Sequence, residues 1–429
     1  MLAWQSPRPF LKEDWVNMKN GILGLAGFCV LLVGLYAGPA FAADVDELKR
    51  RIDILSEEMD GLMKGAGGAA EHKRFAIHGY GEMHYNNNSG SKATLDNHRF
   101  VIGIHGELAD WIHLNAEIDY EHAAQELEFE FGYLDFLLNP VANFRAGVML
   151  MPVGALNEFH EPPLFWSAER PFLQQNIIPT TWGAGGVGVF GAVNEGVSYR
   201  IYVTNSIQNI RPRGFSSGEG NGNGGFSGQF STTSGIRGSR KQVNNIAAED
   251  LAVSGRLEFS RLAPGLQVGF SFFTGDSTQG HISEGGRTTI IEGDFKYRRN
   301  WFDMNASIVN IFIDDAKEMN AYCATNGCTS QIADNVFGYN VQVGVHLLQL
   351  MQVSTTHDLV PFVLYERIRP QDSMPTGAAP NRAGNFDVIT AGVSYMPIPD
   401  VALKADYQNL DIENGKADQR FNMAVAYMY

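Results

Sequence analysis

With 429 residues, 47 glycines, 11% aromatic and only 18% charged residues, the chain has the composition of many strands joined by flexible loops, and not that of a helical bundle. Its length accommodates two soluble domains or one large barrel. A formal net charge of −15, from 32 basic and 47 acidic residues, argues against a nucleic-acid partner, which needs a basic surface.

At the amino terminus Lys19 precedes an uncharged run from Asn20 to Ala43. Its apolar heart, Gly21 to Tyr36, is about one signal-peptide h-region long and short for a spanning helix. Ala40-Phe41-Ala42 supplies a small-x-small cleavage site, so residues 1–42 read as an export signal and the mature chain is expected to begin at Ala43. Met18 stands where such a signal starts, which marks residues 1–17 as a mis-assigned extension; the alternative for the whole segment is an uncleaved anchor. Cys29 lies inside the h-region behind Phe28, a poor setting for lipidation. Cleavage removes three bases and two acids and leaves 29 bases against 45 acids. No later stretch is apolar for 18 residues, so no spanning helix is expected.

Residues 43–66 carry a different period. Val45, Leu48, Ile52, Leu55, Met59 and Leu62 are spaced 3, 4, 3, 4, 3, an a/d seam across nearly three heptads, with Asp44 and Lys49 at g and e. So short a helix is marginal alone, which favours self-association as a coiled coil. A single amphipathic helix lying on or plugging the following domain is the alternative. Gly65 ends the seam, and residues 67–73, with Gly67-Gly68, form a linker.

From Phe75 onward, within a domain over 74–429, the period becomes two. Ile112, Leu114, Ala116, Ile118 and Tyr120 alternate with His113, Asn115, Glu117, Asp119 and Glu121, and Val401, Leu403, Ala405 and Tyr407 alternate with Lys404, Asp406 and Gln408. One face is dense in charge and the other in large apolar groups, which a barrel with a wet interior and a lipid-facing exterior explains. Sixteen strands are predicted: 74–85, 97–108, 111–122, 126–137, 142–151, 185–192, 196–204, 250–260, 265–274, 287–300, 301–313, 335–348, 357–368, 385–396, 400–410 and 419–429. Those at 126–137 and 301–313 break phase near Leu134 and Asn310. Short links such as Ala109-Asp110 and Asn194-Glu195 alternate with longer ones at 152–184, 205–249, 275–286, 314–334 and 369–384. The fold class is therefore all-β: a sixteen-stranded antiparallel transmembrane barrel preceded by a short α-helical coiled coil.

Within the longest link, Arg213 to Lys241 is rich in Gly, Ser and Asn, too polar to build a core, and is expected to be external or to lie over the mouth. Cys323 and Cys328 form a C-x4-C pair in an exported chain, most simply a local disulfide worth about 2 kcal/mol. The last strand sets Phe421, Met423, Val425, Tyr427 and Tyr429 on one face and resembles the carboxy-terminal sorting signal of bacterial outer-membrane barrels.

Arg145-Ala-Gly-Val-Met-Leu-Met-Pro-Val-Gly154 resembles the strand ending in Pro-x-Gly of phosphate-selective (O/P-type) porins. Glu158-Phe-His-Glu-Pro-Pro163 and Glu169-Arg-Pro171 are similar to that family's constriction loop, and Thr390 to Tyr395 with Leu403 to Gln408 to its closing hairpin. The resemblance covers about 44–429 and implies a trimeric outer-membrane porin, with a periplasmic coiled coil and loop three folded into the pore, passing small hydrophilic solutes by passive diffusion. The constriction residues are then Arg145, Glu158, His160, Glu161, Trp166, Glu169 and Arg170. Trp166 with Phe165 and Phe172 forms either a sugar-stacking surface or an anchor of the loop against the wall. Phosphate selectivity is not expected. The inward faces carry Arg99, Arg145, Arg200, Arg256, Lys296, Arg298 and Lys404 against Glu82, Glu107, Glu117, Asp119, Glu121, Glu128, Glu130, Glu258, Glu292, Asp294 and Asp406, a balance that favours cations or neutral solutes.

Seven of the eleven histidines fall between His72 and His122. His78, Glu82 and His84 share one face, and His105 and His113 the next two; they are either solvated lumen residues or metal and pH-responsive groups, and the former is the reading adopted. No cofactor and no enzyme activity are expected. Gly183-x-Gly185-x-x-Gly188 opens no helix, Gly214-x-Ser216-x-Gly218 lies in a glycine tract, and His160-Glu161 has Leu164 where a zincin needs histidine. A second reading makes the barrel a structural anchor whose coiled coil engages the cell wall or a partner.

Overall fold

The computed structural model describes residues 74–212, 226–240, 243, 246–326, 331–382 and 384–429. The expected export signal, coiled coil and linker lie outside the described residues, as does Cys328 of the expected disulfide.

Alternating side chains build strands, and sixteen of them close a barrel: β1 (Phe75–Asn88), β2 (Thr94–Ala109), β3 (Ile112–Glu121), β4 (Glu126–Phe136), β5 (Asn143–Leu150), β6 (Gly183–Asn194), β7 (Val197–Asn205), β10 (Leu251–Ala263), β11 (Leu266–Asp276), β12 (Arg287–Arg299), β13 (Phe302–Ile313), β14 (Asn335–Val345), β15 (Asp358–Ser373), β16 (Phe386–Ile398), β17 (Val401–Ile412) and β18 (Asp418–Met428). A separate hairpin, β8 (Ile210–Pro212) and β9 (Phe226–Gly228), lies in the link between β7 and β10. Neighbours pair antiparallel around the ring, β7 with β10 and β1 with β18. The sixteen expected strands are all present; β1 and β15 run three and five residues past their expected ends at 85 and 368.

The wall is inverted relative to a soluble protein. On β17 Leu403 and Tyr407 are 43% and 46% exposed, whereas Lys404 and Asp406 between them are 3% and 2% exposed. Phe421, Met423 and Val425 continue the apolar exterior on β18. Hydrocarbon is the medium in which that arrangement is stable.

Of the two expected phase breaks, the one expected near Leu134 lies four residues earlier, at Glu130, and the one expected near Asn310 is absent from the pairing. In β4 the register against β3 slips between Glu117 and Ile118, opposite Phe131 and Phe129, so Glu130 is an extra residue and the faces exchange there. β13 pairs without interruption on both sides. Its Val309, Ile311 and Ile313 are buried because the inner wall here is apolar.

The expectation of a wet interior therefore needs correction at the long-loop end. Phe273, Ile290, Val309, Ile311, Val336, Phe386 and Val388 from the wall join Met151, Val153, Leu173, Ile177, Ile207, Ile282 and Met319 from the links in one apolar cluster. The Gly/Ser-rich link contributes too. Its Phe230 and Ile236 are buried in the same cluster, so the part over 229–236 is pinned to the core at those two residues while Thr233 between them stays exposed. Cys323 is buried there on the helix Ala316–Asn326.

The ring closes over bare backbone. Tyr429 exchanges two hydrogen bonds of 2.9 Å with Gly79, and its hydroxyl donates to the Val101 carbonyl at 3.0 Å. A Cβ at Gly79 would lie 2.1 Å from that carbonyl oxygen and 2.8 Å from the Tyr429 hydroxyl. Gly79→Ala is expected to destabilise the barrel by about 1–3 kcal/mol, the usual range for overpacking, read as a lower denaturant midpoint in detergent.

Candidate functional site

The link between β5 and β6 is the third on the long-loop side and folds into the barrel. Gly154 turns it inward with φ of 75°, a left-handed backbone that favours glycine. Pro162 and Pro163 keep it from becoming one long helix, leaving short turns at Ala155–Glu158, Pro162–Leu164 and Leu173–Ile177. Asn157 clasps the neck: its amide donates to the Met151 carbonyl at 2.7 Å, and its oxygen accepts from the Trp182 N–H at 3.0 Å.

Inward charges of the wall hold this loop. Arg200 pairs with Glu158 at 3.1 Å and also with Glu258. Lys404 donates to the carbonyls of Pro162 and Ser167 at 2.6 and 3.0 Å and sits 3.9 Å over the Phe165 ring. Asp406 accepts from the Ala168 N–H at 2.6 Å. His84 bridges Glu82 at 2.8 Å and Glu169 at 2.9 Å. Glu366 accepts from the N–H groups of Phe172 and Leu173 at 3.0 and 2.9 Å. Trp166 packs on Val360, Phe362 and Leu364, over Gly344, where a Cβ would lie 2.4 Å from the indole. The aromatic rings thus face wall side chains.

Two arginines gather the buried acids. Arg99 contacts Glu82 at 3.0 Å, Glu121 at 3.0 Å, Asp119 at 3.3 Å and Glu130 at 3.8 Å. Arg256 is bidentate to Asp294, at 2.6 and 3.1 Å, with Glu258 and Glu292 each at 3.5 Å. Arg145 pairs with Asp135 at 2.7 Å, its guanidinium 3.9 Å over the Tyr133 ring. His160 lies within 3.1 Å of Glu130 and 3.7 Å of Glu117, and its backbone carbonyl accepts from Arg170 at 3.3 Å.

Of the residues expected to line a pore, Glu82, His84, Arg99, Glu117, Asp119, Arg256, Lys404 and Asp406 are buried beneath loop three or beside it. Glu121, Arg200, His105 and His113 are half-buried, and His78 and Glu107 are exposed. Glu161 is half-buried, whereas His160, Trp166 and Arg170 are buried. Sequence reasoning missed Glu366 and Asn157. Glu366 was legible as the one acid on an inward row of Val360, Phe362, Leu364 and Ile368.

Two loop groups show what burial and pairing do. Burial alone would lower His160, but Glu130 and Glu117 outweigh it and hold the imidazole up at about 10, so in the metal-free protein it is an imidazolium at neutral pH. Burial would raise Glu169, but the hydrogen bonds from His84 and Asn86 outweigh it and hold the carboxyl down at about 2. Loop three is therefore fixed by charged partners through the neutral range.

Of the histidines expected to form a group, His84 meets the carboxylates of Glu82 and Glu169, whereas His105 bonds Asn115 at 2.8 Å and its ring meets His113 edge-on at 5.3 Å. Convergent donor sets among the described residues are Asp96/His98/His122, Glu121/His122/Glu126 and Glu117/Glu130/His160.

With the wall and its inward loop defined, comparison with known proteins places the architecture. The Acinetobacter baumannii outer membrane channel DcaP superposes with a TM-score of 0.51 at 12% identity, over 85% of this chain and 100% of that one. The chain has the fold of an outer-membrane channel. The trimer form of in-vitro folded OmpT, an outer membrane protein of Vibrio cholerae, gives a TM-score of 0.51 at 11% identity, over 83% of this chain and 99% of that one. An uncharacterized protein of Aquifex aeolicus is 29% identical over 400 residues, 89% of this chain and 87% of its own length. No family model matches the chain.

Proposed function

We propose that this chain is a passive channel of a bacterial outer membrane, passing small hydrophilic solutes through a barrel narrowed by loop three. The observation that carries the reading is the inverted wall: apolar side chains outward around a closed ring, charged side chains inward, and one link drawn into the lumen by those charges. No step of catalysis is assigned to it. Inward acids outnumber inward bases, which supports a mild preference for cations or neutral solutes over phosphate. Assembly as a homotrimer, with residues 43–66 as a periplasmic coil, belongs to the same proposal, and the trimer form of a structural relative supports it.

Because the groups at mid-height are buried, the expected conductance is small for a sixteen-stranded barrel. Purified trimer in a planar bilayer is expected to give discrete steps, and reversal potentials in asymmetric salt are expected to favour cations modestly. Absence of steps overturns the channel reading; strong anion selectivity overturns the assignment of the acids to the path.

A further inference from the structure

We propose that Glu117, Glu130 and His160 form a binding site for one divalent transition-metal ion, with zinc as the ligand type, which staples loop three to the wall at β3 and β4.

The argument begins with the imidazole. His160 Nδ1 lies 3.0 Å from the Asn157 carbonyl, which can only accept, so Nδ1 carries a ring proton. Nε2, which carries the second ring proton in the metal-free imidazolium, faces Glu130 Oε2 at 3.1 Å and Glu117 Oε1 at 3.7 Å, so an ion bound here takes the place of that proton. The Tyr80 hydroxyl lies 2.7 Å from Nε2 and 3.1 Å from Glu117. Three side chains that can offer metal-ligating atoms thus converge on one buried point. A histidine anchored through one nitrogen to a backbone carbonyl, with the other aimed at carboxylates, is the arrangement that metal-ligating histidines use.

The spacing fits an ion larger than a proton. Zinc bonds nitrogen and oxygen at about 2.0–2.1 Å in tetrahedral geometry, which separates neighbouring ligand atoms by about 3.3 Å. The observed separations of 3.1 and 3.7 Å straddle that value. The remaining oxygen of Glu130 is turned to Arg99 at 3.8 Å, so Oε2 is left for the ion. Nitrogen and oxygen donors in this mixture suit zinc better than a hard calcium-type ion, which takes six to eight oxygens. All three ligands are buried, so exchange requires loop three to lift, and release to a chelator is slow.

The full-length mature chain, purified in detergent or refolded with zinc chloride as the only metal, is expected to retain about one zinc per chain after gel filtration. Glu130→Gln and Glu117→Gln keep size and hydrogen bonding and are expected to weaken zinc binding at least tenfold, with folding checked by heat-modifiable migration on gels. Asp96→Asn, in the half-buried histidine cluster, is expected to leave binding unchanged. Zinc-edge absorption should show nitrogen and oxygen ligands with a single imidazole, a readout that stands even where a variant fails to fold. Retention of no zinc by the wild-type chain overturns the proposal and leaves His160 holding a proton. Binding lost in Asp96→Asn and kept in Glu130→Gln, or a spectrum with two imidazoles, also overturns it. None of these readouts involves transport, so they stand apart from the channel reading.

Discussion

Glu366→Ala is expected to raise single-channel conductance several-fold while leaving the barrel folded. Glu366 is fully buried on the inner face of β15, and its carboxylate accepts the Phe172 and Leu173 N–H groups, the start of the last helical turn of loop three. Removing it strands two buried donors, at about 1–3 kcal/mol each, and no strand-to-strand hydrogen bond is touched. That cost falls on the closed position of the loop alone, because in a lifted loop the two N–H groups reach water. A shift of 1.4 kcal/mol changes the closed-to-open ratio tenfold. Glu366→Gln keeps one acceptor and is expected to give a smaller rise. Lys404→Met, which removes two further contacts to loop-three carbonyls, should act in the same direction. A folded Glu366→Ala barrel with unchanged conductance in planar bilayers shows that loop three does not limit the path.

The wall was legible in the sequence because a lipid-facing barrel obeys a rule of period two: Leu403 and Tyr407 must face hydrocarbon, so Lys404 and Asp406 must face inward. The rule falls silent where both faces are apolar. Val309, Ile311 and Ile313 alternate with Ile308 and Phe312, and periodicity alone does not say which row meets lipid. What covers the inner row is a contact between distant parts of the chain. Lys404 meets the carbonyl of Pro162, and Asp406 meets the N–H of Ala168, both more than 230 positions away. Alternation assigned these side chains to the lumen correctly but carries no record of the loop that meets them there. The Gly/Ser-rich link misled for a related reason. Two apolar residues, Phe230 and Ile236, cannot make a core, yet they can insert into one that other segments supply. The slip at Glu130 was visible only as a blurred phase, since one extra residue exchanges the faces and leaves composition unchanged. His98 and His122 escaped notice because a register slip in β2 and a turn after β3 bring them to Asp96, at 3.3 and 2.8 Å.

Arg256→Met tests how dry the inner wall is. Arg256 lies on β10 directly opposite Arg200 of β7, and these two cations answer Glu158, Glu258, Glu292 and Asp294. Its guanidinium is bidentate to Asp294 and takes a further hydrogen bond with Ser271 at 2.8 Å. Methionine fills much of the same volume, so the change is chiefly one of charge. In a buried cluster it leaves the acids with one base, and breaking a buried pair from one side costs about 3–5 kcal/mol, against about 0–1 kcal/mol for a solvated surface pair. Stability to guanidinium in detergent is expected to fall by the larger amount and to recover in large part in the Arg256→Met, Asp294→Asn double variant, because the second change removes the anion that the first left alone. The recovery separates an electrostatic loss from a packing loss, which the second substitution would deepen. A loss within about 1 kcal/mol places water among these carboxylates. In that case the inner wall from β7 to β12 is part of the solute path and not the seat of loop three.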